Sequence, residues 1–160
     1  MSLFEDSRYR WRETYFVLFD RSNRPSLQSF ERMMETIPGR FELTNPQQDA
    51  EGLIESATIL SPGDFAALDV SFIGGEEVVE QTTKIVDEVK PADADEKKKL
   101  ARLASATGRL DVMHFERISG DTDSDEPDEM FDPSALLILL DHLIELTDGV
   151  AFDPQAGVLV

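Results

Sequence analysis

Leu53-Ile-Glu-Ser-Ala-Thr-Ile-Leu60, Ser61-Pro-Gly-Asp64, Phe65-Ala-Ala-Leu-Asp-Val-Ser-Phe-Ile73 reads as two strands joined by a short turn. Pro62 and Gly63 stand where a tight turn uses such residues. In the second run Leu68, Val70 and Phe72 share one face, and Ala67, Asp69 and Ser71 share the other. That alternation marks a sheet with one covered face and one more polar face. A hairpin at this point commits the chain to antiparallel pairing.

The flanks extend the pattern. Upstream, Thr14-Tyr-Phe-Val-Leu-Phe19 is aromatic and β-branched and apolar on both faces, which suits a central strand. A breaker cluster at 22–26 follows, then Leu27, Phe30, Met33, Met34 and Ile37 recur at helical spacing until Pro38-Gly39. Residues 41–49 read as a loop with at most a short strand at 41–43. Downstream, Gly74-Gly75 breaks the hairpin's second strand. Val78, Val79, Thr82, Ile85, Val86 and Val89 then form an amphipathic stripe, with Glu76 and Glu77 in its first turn and Lys90 at its end. Pro91 stops that helix. Asp93 with Glu96 has capping-box spacing for a further helix closed by Gly108. Residues 109–118 alternate as another strand: Leu110, Val112, His114 and Glu116 on one face, Asp111, Met113, Phe115 and Arg117 on the other. Asp132-Pro133 opens a strongly apolar last helix that runs to about Thr147, and two short apolar segments around a Pro/Gly turn end the chain as a small hairpin.

The order is strand, helix, strand, strand, helix, strand, with a helix and hairpin appended. It predicts an α+β fold of ferredoxin-like, split βαββαβ type: an antiparallel sheet with helices on one side, plus a C-terminal helix and short hairpin. One domain spans 1–160. Within it, 1–12 form an N-terminal arm, 119–132 an acidic loop, and 133–160 the terminal helix and hairpin.

Composition narrows the function classes. At 160 residues and 41% apolar the chain can bury a core without staples. It has no cysteine, so disulfides, thiol catalysis and thiolate metal sites are excluded. Its formal charge is -18, of which -12 falls in residues 111–160, where Arg117 is the sole Lys or Arg. General affinity for nucleic acid or an anionic membrane is therefore disfavoured. The most apolar run, 135–140, is too short to span a bilayer, and the first twelve residues lack the apolar stretch of a signal peptide. A cytoplasmic protein without a cofactor is expected.

Four candidate constellations stand out. The acidic stretch places Asp121, Asp123 and Asp125 at alternate positions, with Asp132 twelfth, resembling a calcium loop in spacing. It carries Glu126 where the turn needs Gly, Pro127 next, and Asp rather than Glu at the end. Two histidines, His114 on a strand and His142 on the last helix, lack paired ligand spacing. With Glu55 and Asp69 they are the polar groups that would line a ligand pocket between the sheet and the last helix. Asp69 could pair with Asp64 or, across the hairpin, with Glu55. Its pKa would rise if the last helix covered it. Finally, Arg8, Arg10, Trp11 and Arg12 form a small basic-aromatic cluster, a candidate contact for a protein partner or a second copy. No GxSxG, Walker or GxGxxG motif occurs. The reading that follows is a non-catalytic interaction or regulatory module, its partner an unknown protein, itself included. The alternatives are a small-molecule-binding domain or metal-independent enzyme, and a calcium-responsive module.

Overall fold

Strand β1 (Tyr9–Phe19) pairs with β5 (Gly108–Arg117) on one side and with β6 (Val150–Asp153) on the other. The computed structural model describes residues 6–39, 41–118 and 134–160, apart from the side chain of Asp64. The remaining described elements are α1 (Leu27–Thr36), β2 (Glu42–Gln48), β3 (Ile54–Ser61), β4 (Ala66–Gly74), α2 (Glu76–Glu88), α3 (Ala94–Leu103), α4 (Ser134–Thr147) and β7 (Val158–Leu159). They make one seven-stranded antiparallel sheet in the order β2-β3-β4-β5-β1-β6-β7.

The mixed α+β class and the hairpin are as the sequence implies. The strand order differs from a ferredoxin-like sheet, in which the first strand lies between the third and the fourth and runs parallel to the third. Here β5 takes that place, pairing with β4 over nine residues and with β1 over ten. The alternation in β5 suits either arrangement, so order could not be read from it.

The helices also divide between both faces rather than gathering on one. On one face, Phe30 and Met33 of α1 and Leu136, Leu139, Leu140 and Leu143 of α4 pack on Val17, Ile59, Leu68, Val70, Leu110 and Val112. On the other, Val78 and Ile85 of α2 and Leu100 and Leu103 of α3 pack on Leu18, Val150 and Phe152, with Phe16 and Ile73 alongside. The physical reason is visible in β1: Val17 and Phe19 serve one cluster, Leu18 and Phe16 the other. A strand apolar on both sides needs cover on both sides.

Local signals hold well. Ser26 Oγ accepts from Ser29 N at the start of α1, and Asp93 Oδ1 accepts from Glu96 N at the start of α3. Glu96 in turn accepts from Ala92 N, closing the expected box one residue early. Gly149 lets α4 turn directly into β6: a Cβ there would stand 2.8 Å from Leu18 O.

Two boundaries change. Residues 9–12 are part of β1, not an arm. Residues 42–48 form a full edge strand rather than a loop. Pro46 and the left-handed Asn45 disguise it, and its ladder is irregular between Thr44 and Gln47. Proline and bulges belong on edges, where they discourage pairing with another chain. The cap positions 132 and 133 lie outside the described residues.

Candidate functional site

The cross-strand register of the sheet brings residues into rows. On the face carrying α2 and α3, Thr58, Asp69, Met113 and Thr14 stand side by side on β3, β4, β5 and β1. The neighbouring row toward those helices is Ser56, Ser71, Asp111 and Phe16; the row away from them is Leu60, Ala67, Phe115 and Trp11. The packed cluster under α2 and α3 stops at Phe16 and Ile73. Met113, Leu60 and Trp11 belong to neither packed cluster. The Thr58–Thr14 row is half-buried throughout; in the row beyond it Ala67 and Phe115 are fully buried and Trp11 is 41% exposed. This is a partly open, mixed polar and apolar sheet surface.

Its two aspartates differ. Asp111 lies against Arg109, whose Nε donates to Asp111 Oδ1 at 2.5 Å. That guanidinium also donates to Gln81 of α2 and stacks over Phe16, 4.3 Å from the ring centre. Asp69 has only the Thr58 hydroxyl, at 3.5 Å, as a hydrogen-bond partner among the described residues. Burial pushes the carboxyl of Asp69 up, opposed only by that hydroxyl. Burial also raises Asp111, opposed by the hydrogen bond and charge of Arg109.

The opposite face holds a second polar group at the same end of the sheet. A register irregularity between Trp11 and Glu13 leaves Arg12 as an extra residue in β1. Trp11 stays on the open face, its Nε1 donating to Thr14 Oγ1 at 3.0 Å. Glu13 opposes His114. Buried Glu116 accepts from Arg10 Nη2 at 2.7 Å and Arg12 Nη1 at 3.5 Å. His114 is fully buried, with its Nδ1 3.7 Å from Glu13 Oε1. Desolvation, then the charge of Arg12, lowers the imidazole to about 4, so it is neutral at pH 7. Desolvation raises the Glu13 carboxyl. An imidazole with no solvent access offers no route to substrate, so the geometry describes an internal polar network.

The predicted residues are thus distributed. Asp69 and His114 lie on opposite faces of the sheet, Glu55 is exposed on β3, and His142 on α4 places its Nδ1 2.9 Å from Ile138 O. They do not meet in one cavity. The pairing with Glu55 fails too, because Asp69 opposes Thr58; the side chain of Asp64 lies outside the described residues. The last helix covers the other face, so the raised Asp69 pKa has a different origin from the one anticipated. Of the basic cluster, Arg10 and Arg12 join at Glu116, Arg8 bonds to Asp6 at 2.7 Å, and Trp11 faces away from them. Asp121, Asp123, Asp125 and Asp132 lie outside the described residues. Sequence reasoning missed Glu116, although it shares a strand face with Leu110 and Val112, which is itself a signal of burial. It also missed Thr58, Met113 and Thr14, which become neighbours only through strand order.

A cleft of about 240 Å³ borders the open face at Leu60, Tyr9 and Arg117; others lie elsewhere. One of about 540 Å³ is bordered by Arg24 and Asp49. Arg24 is committed there: it donates to Ile54 O at 2.7 Å, pairs with Asp49 at 3.2 Å and stacks on Phe72. Another of about 450 Å³ sits at the start of α2, where Glu76 and Glu80 disfavour an anion. Among the described residues no group of three or more His, Asp or Glu is placed to hold a metal ion, and no helix is long and apolar enough to cross a membrane. Compared with known proteins, the chain matches no family model, no curated protein and no solved structure.

Proposed function

We propose that the chain is a non-catalytic protein-interaction module that works through the sheet face carrying Thr58, Asp69, Met113 and Thr14. The observation that carries this reading is the row itself: four adjacent strands present half-buried side chains, and Met113, its one apolar member, belongs to neither packed cluster of the described residues. Surfaces of this kind, apolar groups interleaved with a few polar ones, suit protein contacts. The sheet's edges are less suited. β2 carries Pro46 and a broken ladder, and β7 is two residues long.

The small-molecule alternative needs a pocket between the sheet and the last helix. That interface is filled by Leu136, Leu139, Leu140 and Leu143, which leaves the reading without a supporting observation.

A photo-crosslinking amino acid placed at Thr58, Ser71 or Met113 tests the proposal in cells, with Val79, exposed on α2, as the control. A discrete adduct with another protein from the face positions and none from Val79 is expected. No adduct from any face position, or equal adducts from Val79, overturns it.

A further inference from the structure

The interaction reading leaves the partner's chemistry open, and the inference here rests on that reading. Asp69 stands at the centre of the open face, with strands on both sides. A half-buried carboxylate has lost part of its hydration, and a nearby cation is the usual compensation. Asp111, in the next row, shows how this chain supplies one internally, through Arg109. Asp69 has no such partner among the described residues: its one hydrogen bond is the long one to Thr58. Around it lie Thr58 and Thr14, which can accept as well as donate hydrogen bonds, and the thioether of Met113. Two strands away and one row over, on the order of 10 Å by strand spacing, is the exposed indole of Trp11, whose ring face attracts cations.

The charge of the whole chain sharpens the choice of occupant. At -18 its net charge disfavours nucleic acid, acidic proteins and a second copy of like charge. A positively charged partner is drawn in and, once docked, supplies the missing counter-charge. We infer that the open sheet face receives a protein segment bearing a lysine or arginine, whose cationic head sits at Asp69 while its apolar stem lies along Met113. The stem fits because long cationic side chains cover apolar surface with their methylenes.

Selection of displayed random peptides of about twelve residues against the full chain tests this, with binders then measured on wild type, Asp69→Asn and Thr58→Trp. The last variant fills the face and also removes the Thr58 hydroxyl that bonds to Asp69, so Asp69→Asn alone isolates the charge. Enriched peptides that share a Lys or Arg, and that bind Asp69→Asn and Thr58→Trp at least about tenfold more weakly, are the expected result. Peptides lost on Thr58→Trp but unaffected by Asp69→Asn would overturn the cation at Asp69 while the docking face stands. Basic peptides that bind both variants like wild type, and are lost when Asp121, Asp123 and Asp125 become Asn, would overturn both. Concentration-dependent dimerisation abolished by Thr58→Trp would replace the cationic partner with a second copy.

Discussion

The two faces of this sheet treat the same kind of group in opposite ways. On the face under α1 and α4, Glu116 is buried and Arg10 and Arg12 are brought to it from the neighbouring strand. On the face that α2 and α3 cover only in part, Asp69 is half-buried and no arginine among the described residues is brought to it. A buried carboxylate with cations is a finished structure. A half-buried one without them costs stability. On the reading proposed above, the difference separates the part of the molecule that holds the fold from the part offered to a partner.

The largest effects should come from the closed face. Leu139→Ala, in the α4 core, is expected to lose about 3 kcal/mol in urea denaturation. Met113→Ala on the open face is expected to lose less than about 1 kcal/mol. Similar losses at the two sites would erase the contrast.

The buried imidazole sharpens it further. His114 titrates at about 4 in the fold against an ordinary value of 6.5. The unfolded chain therefore takes up the proton first. This contribution to stability is present above pH 6.5 and is lost as the pH falls toward 4, by up to about 3 kcal/mol. Stability measured against pH for wild type and His114→Gln should diverge in that window, the variant having the shallower slope. Parallel curves would remove His114 from the network.

Glu116→Gln should cost about 1–2 kcal/mol, since it leaves two partly exposed arginines without their shared carboxylate. The smallest and most telling change has the opposite sign. Asp69→Asn is expected to raise the melting temperature by roughly 1–4 °C. A raised folded-state pKa means a penalty present at neutral pH that disappears on acidification. The gain should therefore be greatest near pH 7 and vanish at low pH. A destabilised Asp69→Asn would show that the carboxylate is already compensated.

Local elements were legible because their signals are local. Asp93 caps where its spacing with Glu96 places it, and Pro62-Gly63 turns the hairpin. The α+β class followed from these. Strand order did not, because alternating strands such as β4 and β5 carry no label for their neighbours. The helices on both faces were foreshadowed by the doubly apolar β1, yet assigning each helix to a face needs tertiary packing. The same gap hid the site. Asp69 was visible as a polar residue on an alternating strand. Thr58, Met113 and Thr14 joined it only through pairing across three ladders. Pro46 concealed β2 by the very property that makes it a safe edge.

The carboxyl carbon of Asp69, followed by NMR through a pH titration of the full chain with and without a selected cationic peptide, tests the central claim most directly. The account predicts a pKa above the ordinary value of about 3.9 in the free chain and a clear fall when the peptide binds. An ordinary or lowered pKa in the free chain, or one that the bound peptide leaves unchanged, would contradict it.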